Sequence, residues 1–443
     1  MHLSKKQLII LGAIAVLFLG FLIFLGSCNK RLAVPEKPQQ AESTPAQEET
    51  PAQDDPPSIP EPVVTTRSIS TSMGDISVTE TTEYDEALTY SRREYLSFDK
   101  SRIQACRVEG ETRQATLFSF QYQPIDATVH YFDTDTNAWV SEPLSPGAYR
   151  ASLVAIEFSS GASLFSYLPK TYNQKENGVL EHLPDLDGYL LVTRTEAGWQ
   201  LKLVSCELQE GQVCDGFVMS AAWPLLDWSE NQNCATVWNA YTANGVAKWC
   251  FDGYYRFTPS NYVPTGENYY YRCVASYLIR LMAEQIGLSD AAPSLSICML
   301  DVLVQEQNAY GFWPTQPESE WLSGDFQIAD GFYDTRFNTD LIEIFVRVNN
   351  DLGGGLYLDT VKRYAAFYQA LAEENHAETE NGGWLVADYW HPQLHDLTHT
   401  SLNHLAAECL AAYHLADLLR DESLRETADK LLLAIEDTGS DWI

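Results

Sequence analysis

The hydrophobic pattern of this chain changes its period part-way along, and that change limits the folds open to it. From about residue 64 to residue 228, apolar and polar residues alternate in short segments separated by turn residues. From about residue 265, the apolar residues recur instead at the 3.6-residue period of a helix. We therefore predict an α+β protein, with an antiparallel β barrel or sandwich over residues 64–228 and an α/α toroid of helical hairpins over residues 229–443.

Individual elements follow from the same pattern. The predicted strands are Ile76–Thr81, Ala115–Tyr122, Ala127–Phe132, Tyr149–Phe158, Ala162–Leu168, Tyr189–Thr195 and Trp199–Cys206. The predicted helices are Tyr269–Ile286, Ser294–Gln307, Thr335–Leu352, Leu356–Glu374, Thr398–Arg420 and Glu422–Asp437. The connections after Gln307 and after Glu374 are long and aromatic, which is typical of functional loops.

The charge of the chain excludes two classes of partner. Among 443 residues, 28 are Lys or Arg and 61 are Asp or Glu, so the formal net charge is -33. Nucleic acid and anionic membrane surfaces both bind through Lys and Arg, so neither is expected to bind the folded part. Residues 229–443 carry 11 basic and 31 acidic residues, a net charge of -20. A negative field of this size favours a neutral or sparsely charged ligand over a polyanion.

The N-terminus predicts export and anchoring. Lys5 and Lys6 precede an uncharged run from Leu8 to Gly26, which is the pattern of a signal peptide. Leu25-Gly26-Ser27-Cys28 is similar to the signal of bacterial lipoproteins, which implies that Cys28 is acylated. The alternative is one uncleaved transmembrane helix. Both alternatives place the rest of the chain outside the cytoplasm, and proline-rich residues 29–63 then form a disordered tether.

The remaining eight cysteines leave the redox state open. Cys206 and Cys214, or Cys234 and Cys250, are close enough in sequence to form disulfides in an oxidising exterior. Without a CxxC pair, a structural zinc site is not expected. The histidines between His376 and His414 lack the glutamate of an HExxH pattern, so we predict neither a metal nor a cofactor.

Three polar and aromatic segments hold the candidate site residues. The first, 307–314, contains Trp313, and the second, 330–340, contains Tyr333, Asp334, Arg336 and Asn338. The third, 381–404, contains Trp384, Asp388, Tyr389, Trp390, His399 and Asn403. In the second segment, free N–H groups at a helix start beside an arginine suit a carboxylate or sulfate. The alternative is an N-cap aspartate with a surface ion pair.

In the third segment, His399 and Asn403 are four residues apart on a predicted helix, where they form a polar stripe. Such a stripe on an otherwise apolar helix is expected to line the mouth of a cavity. The alternative is a buried histidine with capping threonines.

Part of this pattern resembles a known family. The stretch Asp396–Leu405 is similar to the W-D-Y-H-T-T-H-I-N-Q-L motif of the glucuronyl C5-epimerases, with Asp396, Thr400, Asn403 and Leu405 on matching positions. Gly382-Gly383-Trp384 and Tyr333-Asp334-Thr335 resemble further loops of that family. Leu397 stands where the family has a tyrosine implicated in catalysis, and Thr398 stands where it has a histidine.

The resemblance implies an enzyme that acts on a uronate-containing glycan by epimerisation or elimination. Arg336 would then stabilise a carboxylate, and Tyr333, Tyr389 and His399 would be the catalytic groups that transfer protons. Trp313, Trp384 and Trp390 would stack on sugars, with Asp334, Asn338, Asp388 and Asn403 as further substrate-binding residues. Two alternatives remain: hydrolysis through Asp334 and Asp388, and a surface lipoprotein that binds glycan or a partner without catalysis.

Overall fold

The structure describes most of the chain from residue 59 onward, and the β region comes first. The computed structural model describes residues 59–85, 87–133, 136, 138–226, 228, 245–274, 277–353, 355–393, 397–439 and 442. The predicted signal with Cys28, most of the predicted tether, Cys234 and Asp396 lie outside these residues. The strands are β1 Val63–Thr71, β2 Gly74–Asp85, β3 Leu88–Leu96, β4 Arg102–Gly110, β5 Thr116–Tyr122, β6 Ala127–Asp133, β7 Ala138–Pro143, β8 Gly147–Tyr149, β9 Leu153–Phe158, β10 Ser163–Gln174, β11 Leu180–His182, β12 Tyr189–Thr195, β13 Gly198–Val204, β14 Gln212–Ala221, β15 Ala247–Cys250, β16 Gly253–Phe257, β17 Tyr269–Arg272, β18 Tyr333–Asp334, β19 His376–Glu378, β20 Trp384–Val386 and β21 Tyr389–Trp390.

Most strands join one large antiparallel sheet. Its main path runs β1-β2-β3-β4-β14-β10-β11-β17-β16-β15, and β6, β7 and β9 branch from β10. A second sheet has the order β5-β13-β12-β8. Leu117, Val192 and Leu201 of the second sheet share a buried cluster with Val108 and Leu164 of the first. Apolar faces of the two sheets therefore contribute to one core.

Seven helices occur among the described residues. They are α1 Tyr277–Ala283, α2 Ala292–Glu306, α3 Glu320–Phe326, α4 Thr335–Leu352, α5 Leu358–Glu374, α6 Leu402–Leu419 and α7 Glu422–Asp437. The predicted order of an antiparallel β region followed by a helical region is confirmed. A closed α/α toroid remains a prediction.

Side chains of both regions meet in the largest core. Ile76 and Ile103 of the sheet belong to the same buried cluster as Leu295 of α2, Phe345 of α4 and Leu415 of α6. Between the two regions, Arg67 of β1 is also hydrogen-bonded to Asp301 of α2, at 2.8 Å between Nη1 and Oδ1. The β region and the helices are thus joined by apolar packing and by an ion pair.

Two predicted helices begin four or more residues later in the structure than the sequence predicts. The helix predicted over Tyr269–Ile286 begins only at Tyr277, because Tyr269–Arg272 pair as a strand with β11 and β16. The helix predicted from Thr398 begins at Leu402. Residues before it are held in an extended loop, in which Thr398 Oγ1 accepts a hydrogen bond from the Tyr389 N–H at 3.1 Å.

Candidate functional site

A short ladder of two strands brings the second and third candidate segments together. β18 pairs with β21, with Tyr333 opposite Trp390 and Asp334 opposite Tyr389. Neighbouring residues of a strand point to opposite faces, so Tyr389 and Trp390 lie on different sides of the ladder. Residues that are 55 positions apart in sequence, such as Asp334 and Tyr389, therefore become neighbours.

Asp388 is fixed directly beside this ladder. Its side chain is 1% exposed, and it accepts hydrogen bonds from the backbone N–H and the hydroxyl of Ser401, at 2.9 and 2.5 Å. Its backbone N–H donates to the carbonyl of His399 at 2.9 Å, and its carbonyl accepts from the N–H of Thr335 at 3.0 Å. The carboxylate is thus held in one position by its own loop.

His399 lies against this carboxylate. Its Nε2 is 3.3 Å from Oδ2 of Asp388, while 44% of the histidine side chain remains exposed. Because Nε2 faces the carboxylate, Nδ1 is the nitrogen that remains to face a ligand. A buried carboxylate that orients an exposed imidazole is the arrangement expected of a histidine acting as a general base.

Aromatic rings surround the imidazole. The ring centroids of Trp321, Phe326 and Tyr389 lie 5.5, 6.1 and 5.8 Å from that of His399. Trp321 is 39% exposed, so part of its ring is open to solvent. We call Trp321, Phe326, Asp388, Tyr389 and His399 the His399 site. It combines one exposed ring, two partly exposed rings and a polar group, which is a surface suited to contact with a ligand.

Arg336 lies in the first turn of α4 at the same end of the helices. Its Nε donates to Asp340 at 2.9 Å and its Nη1 to the backbone carbonyl of Asn403 at 3.0 Å. The preceding residue, Thr335, donates its backbone N–H to the carbonyl of Asp388 at 3.0 Å. The guanidinium therefore lies close to the His399 site in the chain and is held by groups on α4 and α6.

Two further carboxyl groups are buried beneath the site. Asp334 caps α4 by accepting a hydrogen bond from the Phe337 N–H at 2.9 Å, and burial raises its pKa to about 7. Glu408 of α6 has no exposed surface and accepts a hydrogen bond from the Tyr368 hydroxyl at 2.9 Å. Burial raises the pKa of Glu408 to about 8. Both groups therefore retain protons at a pH where ordinary carboxyl groups have lost them.

The structure describes no metal centre here. Among the described residues, no group of three or more His, Cys, Asp or Glu side chains is arranged to hold a metal ion. The described cysteines are free thiols, including Cys206, Cys214 and Cys250. No helix in the described part of the chain is both long enough and apolar enough to cross a membrane.

Comparisons with known proteins do not assign the chain to a family. No protein-family model matches it, and no curated protein matches it. A solved heparinase III is 9% identical with a TM-score of 0.19, over 36% of this chain and 22% of that chain. A protein described as a kojibiose phosphorylase from the human microbiome is 10% identical with a TM-score of 0.21, over 81% of this chain and 44% of that chain.

Both neighbours are named for activity on carbohydrates, and this chain spans less than half the length of either. With TM-scores this low, the two likenesses carry no argument about mechanism. The geometry of the His399 site carries that argument instead.

Several predicted residues lie away from the His399 site. Tyr333 and Trp313 have no exposed surface: the Tyr333 hydroxyl is 3.0 Å from that of Tyr364, and the Trp313 indole N–H donates to the Leu303 carbonyl at 2.7 Å. Asn338 is buried too, and its side-chain N–H donates to the Trp313 carbonyl at 2.9 Å. In this structure these side chains join core elements, and they offer no surface to a sugar.

The two other tryptophans occupy separate surfaces. Trp384 stacks on His376 with ring centroids 4.4 Å apart, on the β19–β20 hairpin. Trp390 is partly exposed and packs edge-on against Tyr310, with centroids 6.1 Å apart. Asn403 is exposed in the first turn of α6, and its backbone carbonyl accepts the hydrogen bond from Arg336. Of the predicted residues, Tyr389, Asp388 and His399 form the site, with Asp334 and Arg336 beside it.

The sequence alone did not identify Trp321, Phe326 or Glu408. Trp321 and Phe326 lie on α3, a seven-residue helix within the long aromatic connection after Gln307. Glu408 is an acid within a helix whose neighbouring residues are apolar, four positions after His404. An acid at such a position signals a buried carboxyl group and could have been found from the helical period.

Proposed function

We propose that the protein is an enzyme of the cell exterior, anchored through Cys28, that acts on a glycan by proton transfer at a sugar carbon. An epimerase or a lyase of uronate-containing glycan is the form we propose. The anchor is supported by the sequence around Leu25–Cys28. The resemblance of residues 396–405 to the uronyl epimerases supports the reaction class.

The observation that carries the proposal is the pairing of Asp388 with His399 beside Tyr389. Proton transfer at a carbon next to a carboxylate requires a base on one side and an acid on the other. His399 can accept a proton at Nδ1 because its Nε2 faces Asp388 at 3.3 Å. The Tyr389 hydroxyl keeps its proton, because burial and then the charges of Asp334 and Asp388 raise its pKa above the usual range, and we propose it as the acid.

The reaction also requires a positive charge. When a base removes the hydrogen from the sugar carbon, negative charge develops on the adjacent carboxylate. Arg336 is the cation that we propose for this role, since Asp340 and the Asn403 carbonyl hold it in the first turn of α4, two residues after Asp334. In epimerisation the acid returns a proton to the opposite face, and in elimination a bond to oxygen breaks instead.

The net charge of the protein restricts the substrate. A chain with a formal charge of -33 repels polyanions, but salt screens that repulsion beyond about 10 Å. One uronate could therefore bind near Arg336, while a densely sulfated polymer would be disfavoured. We propose a neutral or sparsely charged glycan that carries isolated uronates.

A glycan array followed by turnover assays tests the proposal. Wild-type protein is expected to bind and convert a uronate-containing glycan, and His399→Ala and Arg336→Ala are each expected to reduce conversion by about 10²–10⁴-fold. His414→Ala is the matched control, because His414 is 42% exposed and lies 2.7 Å from Glu343. Unchanged conversion in His399→Ala or in Arg336→Ala would remove that residue from the mechanism.

A second candidate function is glycan binding without catalysis. Leu397 occupies the position of the tyrosine that the uronyl epimerases use, and it is 45% exposed. A leucine there cannot transfer a proton. This alternative predicts that Trp321→Ala weakens glycan binding while no wild-type protein converts any bound glycan.

A further inference from the structure

A polar and aromatic cavity lies between the large sheet and α2, and none of the His399 site residues lines it. Its volume is about 50 Å³. The sheet contributes Tyr167 and Phe217, α2 contributes Cys298 and Val302, and the terminal strand β15 contributes Lys248 with its neighbours. A space of this size admits a molecule of only a few heavy atoms, since a single water needs about 10–15 Å³.

Lys248 differs from most residues that line the cavity, because it is a buried lysine. The residue is 6% exposed, and its ammonium group lies 5.1 Å from the centroid of the Tyr270 ring. Burial, followed by the positive charge of the nearby Lys170, lowers the pKa of Lys248 to about 8. Desolvation and a second cation are the two conditions that make a lysine amine nucleophilic.

The cavity also offers groups that could hold an anionic ligand. Trp249 follows Lys248 in β15 and points to the opposite face of the strand, so a donor for the anion must come from another strand. Lys170 lines the same space and is paired with Asp187 at 2.7 Å, which leaves two of its N–H donors for other acceptors. The carboxylate of Asp215 is already held by Arg107, through two hydrogen bonds of 2.7 Å.

We propose that Lys248 binds a small 2-oxo acid in this cavity as an imine. The neutral amine adds to the carbonyl carbon, a proton passes from nitrogen to oxygen, and water leaves as the carbon–nitrogen double bond forms. No oxidant or reductant is needed, because an amine and a carbonyl compound give an imine and water. The carboxylate of the 2-oxo acid would accept a hydrogen bond from Lys170, which lines the same cavity.

Reductive trapping tests this site in the full-length protein. Wild-type protein is treated with pyruvate and cyanoborohydride at pH 7.5, and the reduced adducts are located by peptide mass spectrometry. We expect Lys248 to react at least about tenfold faster than exposed lysines, because a larger fraction of its amine is neutral. Lys430, near the surface ring of Trp384 at 6.0 Å, is the internal reference.

Variants separate the two parts of the proposal. Lys248→Arg keeps the charge and should give no adduct at this position, while Lys430 is labelled as before. Lys170→Gln should slow labelling of Lys248 by pyruvate several-fold. Labelling of Lys248 no faster than Lys430 in folded wild-type protein would overturn the imine site, and an unchanged rate in Lys170→Gln would overturn the carboxylate contact.

Discussion

Buried charges are treated differently in the β region and at the His399 site. In the sheet, Arg107 donates two hydrogen bonds of 2.7 Å to Asp215 and one of 2.8 Å to Asp252. Arg272 completes the group with a bond of 2.7 Å to Asp252. These opposite charges are in direct contact, and the nearby arginines help to lower the pKa of Asp252 in spite of its burial.

The two acids buried beneath the His399 site, Asp334 and Glu408, have weaker hydrogen-bond partners. Asp334 accepts from a backbone N–H, and Glu408 accepts from a tyrosine hydroxyl. Burial is the largest influence on both groups, and it raises their pKa values to about 7 and about 8. Arg272 also pairs with Glu306, whose pKa burial still raises to about 8. The difference teaches that contacts with two arginines keep Asp252 ionised, whereas Asp334 and Glu408, without an arginine partner, keep their protons.

The largest effect should follow from breaking the arginine cluster. Arg107→Ala leaves Asp215 and Asp252 without their shared partner, so we expect a loss of about 3–5 kcal/mol in the free energy of unfolding. Arg102→Ala on the same strand is the control, because that side chain is 51% exposed and 3.5 Å from Glu94. Urea unfolding should show less than about 1 kcal/mol for the control, and equal losses would contradict the structural role.

A smaller effect should follow from removing the buried acid of α6. The raised pKa of Glu408 means that the folded protein keeps a proton that the unfolded chain releases. That contribution to stability is complete below about pH 4.5 and is lost as the pH rises through about 8. The wild type should lose a few kcal/mol of stability over this range, because the unfolded chain releases a proton that folded Glu408 keeps.

Glu408→Gln should remove this part of the pH dependence, as measured by urea unfolding between pH 5 and pH 9. The exposed Glu426 supplies a control on α7, and Glu426→Gln should unfold like the wild type at each pH. A pH dependence in Glu408→Gln as steep as that of the wild type would show that Glu408 ionises normally.

The smallest effect concerns the cap of α4. At pH 6, Asp334→Ala should cost about 1 kcal/mol, because Phe337 loses its acceptor, whereas Asp334→Asn should retain the cap. As the pH rises from about 4 to about 7, the alanine variant should become relatively less destabilised, since the unfolded wild type then releases a proton that folded Asp334 keeps, and above pH 7 the difference should stay constant. Asp421→Ala at the exposed cap of α7 should not show that change.

The sequence predicted elements best where the signals are local. α4 and α7 have the predicted bounds, because an aspartate cap precedes each and a helical apolar period follows. β17 was predicted as helix because its tyrosines fit the following apolar period. Its pairing with Leu180 and Glu181 of β11 depends on residues almost 90 positions away.

At the candidate site too, the sequence predicted locally clustered residues and missed contacts between distant ones. Asp388, Tyr389 and His399 were each named from the sequence, since polar and aromatic residues cluster there. The contact of Trp321 with His399 joins residues 78 positions apart, and no local pattern specifies it. Trp313 and Tyr333 were named by the same clustering and lie in the core, because sequence composition does not distinguish an aromatic core from an aromatic surface.

Solvent exchange tests the central claim most directly, namely that His399 transfers a proton on a bound glycan. Wild-type protein and Asp388→Asn are incubated in D₂O with a uronate-containing oligosaccharide that the wild type binds, and NMR measures deuterium at the sugar carbon next to the carboxylate. Our account predicts deuterium with the wild type and a loss of about 10²–10⁴-fold with Asp388→Asn, because the amide no longer stabilises the protonated imidazole. No deuterium with the wild type, or equal rates in both proteins, would contradict it.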